Sequence, residues 1–221
     1  MTETSMVNYV SLQYLLNEVA AYAIRSNMSK VDENQTKGDY LKNIDEVKNP
    51  KTLSYINKIG FNVGYKSTEL LLMDPSISTT SLTNLSNNAL IENPLEAMKF
   101  ICRDVWKNIF GKQMDNLRTN HVGTFVLVDH KPISYYNCYY TTSTSTSTTG
   151  EHATVKRAAP FLEFNVGLIY GVLACLGVVN VSVTASPIPV TDDTNQAGYE
   201  KVPGSDDVIH NSVQYTVETK N

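Results

Sequence analysis

The longest uncharged stretch of the chain, residues 164–190, limits its possible folds more than any other feature. Its strongly apolar part, residues 166–179, is fourteen residues long, which is typical of a buried helix and short for a membrane span. Apolar and polar residues then alternate, as in a strand with one polar face: Val179, Asn180, Val181, Ser182, Val183 and Thr184. We therefore predict a core helix followed by a strand rather than a transmembrane segment.

The composition is that of an ordinary globular domain. The 221 residues are 42% hydrophobic, which is enough for one sizeable core. The net charge is −4 and no basic stripe is present, so we expect no nucleic-acid partner. The three cysteines, Cys102, Cys138 and Cys175, form no CxxC pair, which favours free thiols in the reducing cytoplasm. The N-terminus lacks the basic-then-apolar order of a signal peptide.

Polar stretches separate the blocks that can pack. We predict surface loops at about 28–49, 75–93, 141–150 and 187–207. Between them, helical spacing predicts a first helix over 8–27, a second beginning at Asn49-Pro50, a third from Asn93-Pro94 to Gly111, and a fourth over 160–176. Strands are predicted at 124–128, at 133–140 as its hairpin partner, at 179–185, and around Val213 to Val217. This order predicts a single α+β domain spanning 1–221, with the helices on one face of a small antiparallel sheet.

Two predicted helices carry glycine pairs at GxxxG spacing. Gly60 and Gly64 interrupt the second helix, and Gly167 and Gly171 the fourth. A glycine inside a helix costs about 1 kcal/mol relative to alanine, so we expect close contact with another element as compensation. For the fourth helix we expect that element to be the sheet.

Residues with catalytic or metal-binding chemistry are few. Phosphate-loop, dinucleotide-binding, nucleophile-elbow and zinc-protease motifs are missing from the sequence, and no metal-ligand spacing surrounds His121 or His130. We expect no catalytic residue, metal or cofactor, although a Cys–His pair brought together in space stays open. Asp115, Arg118 and Asn120 form the densest polar cluster. We interpret this cluster as bracing a helix-to-strand connection rather than as an active site, because buried polar groups need partners.

The first helix is apolar around too much of its circumference to be covered on one side only. Part of this surface is expected to face another protein, together with part of the second helix. The predicted interface residues are Tyr14, Leu15, Leu16, Val19, Tyr22, Ile56 and Ile59.

Three blocks of sequence resemble a known family. FICRDVWKNIFGKQMDNLRTNHVGTFVLVD (100–129), IGFNVG (59–64) and PFLEFNVGLIYGVLACLGVVNVSVTASP (160–187) are similar to the TRAPP small subunits of the Bet-three-like superfamily. The likeness is strongest to the thirty-three-kilodalton branch, called subunit six in animals. The most specific block begins at Asp115, and its residues are interpreted as a structural family signature: Asp115, Asn116, Leu117, Arg118, Thr119, Asn120, His121 and Gly123.

The resemblance implies helices packed on a short twisted antiparallel sheet, and heterodimers built through the first two helices. It implies a Bet-three-type subunit as partner, with other TRAPP subunits around it. The complex promotes GDP release from a Rab GTPase of the Ypt/Rab-one type in ER-to-Golgi, Golgi and autophagic vesicle traffic. Because the family places exchange mainly on other subunits, the chain is expected to be a non-catalytic scaffold. It would be cytoplasmic, peripheral at Golgi and ER-to-Golgi membranes, and linked to membrane and Rab only through the complex.

The sequence also departs from the family pattern. The loop at 75–93 lacks the cysteine that can hold an acyl chain in the Bet-three subunit itself, so no lipid site is expected. The long insertions at 28–49 and 141–150 suggest a fungal chain. An alternative function remains open, because related prokaryotic domains of the superfamily sense small molecules in a pocket beneath the helices, which the apolar fourth helix could line.

Overall fold

The computed structural model describes residues 11, 14–16, 18–19, 22–23, 26, 50–73, 94–130, 132, 150–188, 199–201, 208–210 and 212–219, with only the backbone for 150–159, 187, 199–201 and 208–210. The predicted loops at 28–49 and 75–93, the predicted strand at 133–140 and the Ser/Thr run at 141–149 lie outside the described residues. So do Cys138 and the residues Asn49 and Asn93, at which the second and third helices were predicted to begin.

The helices begin and end close to where local signals place them. The described residues between 11 and 26 are helical and are called the N-terminal helix below. Helix α1 spans Pro50–Met73, and α2 spans Pro94–Phe100. A π-helical segment, Ile101–Val105, joins α2 to α3, Trp106–Phe110. Both proline starts are confirmed, because the fixed φ of proline and its missing N–H suit the first helical position. Gly111 ends α3 with φ 73° and donates its N–H to Lys107 O at 2.9 Å.

Helix α4 spans Gly150–Cys175 and therefore begins ten residues before the predicted start at Pro160. Pro160 lies inside the helix, where proline removes one backbone hydrogen bond without here ending the helix. The expected burial is confirmed, since nearly all side chains from 160 to 173 are buried. Gly177, with φ 78°, closes the C-terminal end. Among the helices described, none has the length and apolar character needed to cross a bilayer.

The sheet confirms the α+β prediction. Its four antiparallel strands are β1 (Asn116–Thr119), β2 (Thr124–Asp129), β3 (Val181–Pro187) and β6 (Val213–Thr219), in the order β1-β2-β6-β3. A separate pair consists of β4 (Tyr199–Lys201) and β5 (Val208–His210). Alternate strand residues join the helices in one core; they include Phe125, Leu127, Val183, Tyr215 and Val217.

The strand predictions need correction. Residues 133–140 were predicted to pair with β2, but β2 is already paired on both sides, with Leu127 opposite Leu117 of β1 and Tyr215 of β6. Strand β1 was missed because its four residues show a weak polar alternation in which Leu117 alone is apolar. In addition, β4 lies within the segment predicted as a loop at 187–207.

The glycines of α1 and α4 face each other. A Cβ added at Gly60 would lie 2.1 Å from Phe164 O, and one at Gly167 would lie 2.0 Å from Asn57 O. The close approach predicted for α1 is therefore confirmed. The expectation that the α4 glycines lie on the sheet is wrong, because Gly171 meets the α1 backbone at Phe61 O. GxxxG spacing indicates close packing but does not specify the neighbour.

Candidate subunit interface

The N-terminal helix and α1 together expose a group of large apolar side chains. Tyr14, Leu15, Tyr22 and Tyr55 are between 38% (Tyr55) and 71% (Tyr14) exposed. The rings of Tyr22 and Tyr55 lie 6.4 Å apart, centre to centre, so the two helices meet at this surface. A cluster of exposed aromatic and aliphatic side chains is typical of a protein–protein contact.

The seven residues predicted for the interface divide into three groups. Tyr14, Leu15 and Tyr22 are exposed, and Val19 and Ile59 are partly buried at the margin of the core. The structure corrects the set at Leu16 and Ile56, which are only 4% and 1% exposed and pack inside the chain's own core. Helical spacing identifies an apolar arc but does not indicate which part of it the same chain covers.

Tyr55 belongs to this surface and was not predicted. It lies one helical turn before Ile59, so both side chains project from the same side of α1. This spacing is the signal in the sequence that could have identified it.

Asp115 braces the connection between α3 and β1. Its Oδ2 accepts the backbone N–H of His130 at 2.7 Å and lies 3.4 Å from Lys112 Nζ. The backbone N–H of Asp115 donates to Val128 O at 2.9 Å. These bonds tie the start of β1 to the end of β2.

The rest of the signature forms the β1–β2 hairpin. Asn120 Oδ1 accepts the backbone N–H groups of Val122 and Thr124, both at 2.9 Å. Gly123, with φ 110°, is held against Thr219, whose N–H donates to Gly123 O at 2.8 Å. Of the remaining positions, Leu117 packs against the core and the Thr119 hydroxyl accepts the His121 N–H at 3.0 Å. The others are exposed: Asn116, Arg118 and His121.

A buried carboxylate, Asp129 at the end of β2, was not predicted from the sequence. Asp129 is 1% exposed; its Oδ2 accepts Trp106 Nε1–H at 3.0 Å, and its Oδ1 contacts Lys112 Nζ. Burial raises the pKa of Asp129, and the Lys112 and Trp106 donors offset part of that effect. The Trp106 ring packs on Phe110 and Tyr215.

The burial of Asp129 predicts a pH dependence of stability. Because the pKa of Asp129 in the folded chain lies above the ordinary carboxyl value, its protonated carboxyl contributes fully to the free energy of unfolding below about pH 4. This contribution is lost as the pH rises through the folded-state pKa. We expect the free energy of unfolding of the wild type, relative to an Asp129→Asn variant, to decline from pH 4 upward. Urea denaturation over this range measures it. A difference that grows with pH would contradict the raised pKa.

Cys102, His130 and Ser212 are engaged in packing or hydrogen bonds. Cys102 is buried, its Sγ lies 3.7 Å from Met114 Sδ, and burial raises the pKa of its thiol to about 12. His130 Nδ1 lies 2.8 Å from Ser212 Oγ, but Ser212 is 2% exposed and not placed to attack a substrate. No group of His, Cys, Asp or Glu in the described part of the chain could hold a metal ion.

Comparison with known proteins gives the family. The model of the transport protein particle (TRAPP) component family matches residues 12–202. The chain belongs to the TRAPP component family. Its similarity to trafficking protein particle complex subunit 6B of Homo sapiens is 34% identity over 140 residues, covering 63% of this chain and 73% of that protein.

Two further relatives agree with this assignment. Trafficking protein particle complex subunit 6A of Homo sapiens is 32% identical over 145 residues, covering 62% of this chain and 74% of the relative. An uncharacterised protein of Schizosaccharomyces pombe is 32% identical over 171 residues, covering 77% of this chain and 56% of its own length. The likeness of this TRAPP chain to the animal subunit-six branch is thereby confirmed.

Proposed function

We propose that this chain is a non-catalytic scaffold subunit of a TRAPP complex, and that it pairs with a Bet-three-type small subunit through the N-terminal helix and α1. The observation that supports the proposal most is the exposed group Tyr14, Leu15, Tyr22 and Tyr55. Burying a large apolar side chain completely stabilises a complex by roughly 1.5–3 kcal/mol. Exposing four of them on one surface is therefore unfavourable unless a partner covers them.

The wider role that we propose is supported by membership of the family. In this proposal the complex promotes nucleotide release from a Rab GTPase of the Ypt/Rab-one type, in ER-to-Golgi, Golgi and autophagic vesicle traffic. The chain acts on the cytoplasmic side, at the membrane only through the complex, and contributes architecture while other subunits carry the exchange surface. An architectural role is supported by two signature residues. The side chains of Asp115 and Asn120 bond backbone groups of their own hairpin.

A charge at the centre of the exposed surface tests the pairing. We expect Leu15→Asp to abolish co-purification with a co-expressed Bet-three-type subunit, because an interface aspartate would be buried without a partner. The variant itself should keep its helical circular dichroism, since Leu15 is 60% exposed in the single chain.

Two controls make the result specific. Val179→Asp alters a comparably exposed apolar residue outside both helices and should leave pairing intact. Ile101→Asp places a charge in the core, where Ile101 is 0% exposed, and should unfold the domain itself. Co-elution of Leu15→Asp with the partner at wild-type stoichiometry would place the interface elsewhere. A small molecule retained by the purified chain in native mass spectrometry, without any protein partner, would instead favour the ligand-sensing alternative.

A further inference from the structure

Strand β3 is one of the two outer strands of the four-stranded sheet. Within the described part of the chain it pairs on one side only, with β6. An outer strand presents backbone N–H and C=O groups to which a strand of another molecule can pair. The other outer strand, β1, is only four residues long, and short outer strands are poor templates for such pairing. Strand β3 has seven residues and no charged side chain, so it is the edge that needs protection.

The backbone groups on the outer side of β3 belong to alternate residues. Thr219 of β6 lies opposite Val181, and its N–H donates away from β3, to Gly123 O beside β2. Val181 and Thr219 therefore form a pair without mutual hydrogen bonds, and the N–H of Val181 points outward. This orientation recurs at every second residue of an antiparallel strand. The outward N–H groups of β3 are those of Val181, Val183 and Ala185.

The middle one of these three groups is engaged by a side chain from a helix. Val183 N–H donates to the hydroxyl oxygen of Tyr170, in α4, at 2.9 Å. The partly buried Tyr170 side chain packs against the core, which holds the hydroxyl in place. At the end of the strand, Pro187 has no N–H to donate. A strand added outside β3 would therefore find its central donor occupied and its last donor missing.

We propose that Tyr170 protects the outer edge of the sheet, and that by occupying Val183 N–H it prevents β3 from pairing with β3 of a second copy of this chain. Many proteins protect an outer strand with a lysine on the strand itself. Here the uncharged strand is protected by a residue of the neighbouring helix. The inference goes beyond the proposed function, because β3 is separate from the surface formed by the N-terminal helix and α1.

The variant Tyr170→Leu, in the full chain, tests the inference. Leucine keeps an apolar side chain against the core but has no hydroxyl to accept Val183 N–H. We expect hydrogen exchange of the Val183 amide to become at least about tenfold faster. Analytical ultracentrifugation should show an oligomeric fraction that rises with protein concentration beyond that of the wild type. The melting temperature of the dilute variant should fall by only about 2–4 °C, the effect of one hydrogen bond.

Two further variants support this comparison. Tyr65→Leu shortens another partly buried tyrosine, on α1 and outside the sheet. It should leave both the exchange of the Val183 amide and the sedimentation profile unchanged. Tyr170→Met repeats the test if Tyr170→Leu does not fold, because the longer and more flexible methionine fills more of the space of the ring.

A second substitution shows whether the association uses β3. Ala185→Pro removes an outward N–H that β6 does not use, so it should block strand addition and keep the bonds between β3 and β6. Thr184→Lys places a charge on an exposed residue of the same strand. Each change, made in the Tyr170→Leu chain, should return the sedimentation profile to that of the wild type.

Two results would overturn the inference. The first is a Tyr170→Leu chain that sediments like the wild type at every concentration, because the edge would then need no protection by Tyr170. The second is an association that neither Ala185→Pro nor Thr184→Lys suppresses, because the copies would then meet through a surface other than β3.

Discussion

Replacing Gly167 by leucine is expected to prevent the chain from folding stably. The first added atom, Cβ, would lie 2.0 Å from Asn57 O and 2.8 Å from Asn57 C, which are backbone atoms of a packed helix. Neither can move without displacing α1 from α4, and overpacking of this kind costs about 3 kcal/mol or more. Since domains are stable by only about 5–15 kcal/mol, we expect a large loss of melting temperature or insoluble protein.

Gly111→Ala is the matched control for this substitution. A Cβ at Gly111 meets nothing within 4 Å, so only the left-handed backbone, φ 73°, opposes the change. That strain costs about 1–2 kcal/mol. In thermal denaturation, Gly111→Ala should have a much higher melting temperature than Gly167→Leu. Equal stability of the two variants would show that the α1–α4 contact can relax, contrary to the close backbone approach described above.

Removing the Trp106 side chain is the second change with a large expected effect. Trp106 is 1% exposed, packs on Phe110 and Tyr215, and donates its indole N–H to Asp129. Trp106→Ala should lower the free energy of unfolding by about 3–5 kcal/mol, as is usual for a buried aromatic residue. Urea denaturation at neutral pH measures the change.

Trp106→Phe separates packing from hydrogen bonding. Phenylalanine retains an aromatic ring against Phe110 and Tyr215 but cannot donate to the buried Asp129 carboxylate. Losing one donor to a buried acceptor costs about 1–3 kcal/mol. If this hydrogen bond is the source of the cost, Trp106→Phe should cost less when it is made in the Asp129→Asn variant. A Trp106→Phe variant as stable as the wild type would mean that the Asp129 bond contributes nothing to stability.

The candidate interface was only partly predictable from the sequence. Helical spacing identified Tyr14, Leu15 and Tyr22, because an apolar arc wider than one packing face is visible in the order of residues. The same spacing included Leu16 and Ile56, which the chain buries in its own core. Tyr55 was missed, because exposure depends on which side of α1 packs against α4.

The sequence by itself determined where α1 and α2 begin, where α3 and α4 end, and which segment is buried. Pro50 and Pro94 start α1 and α2, Gly111 and Gly177 take left-handed conformations after α3 and α4, and the apolar run after 164 lies in the core. These features depend on steric and hydrogen-bonding preferences within a few residues, so they can be read locally.

Only the tertiary structure decided which distant segments meet. Strand β2 pairs with the preceding β1 and the distant β6, rather than with 133–140. The glycines of α4 meet α1 instead of the sheet, and Asp129 becomes buried because Trp106 and Lys112 converge on it. Several neighbours can satisfy the same local pattern, so such pairings depend on the free energy of the whole packed chain. Only one arrangement fills the core and also satisfies its buried polar groups.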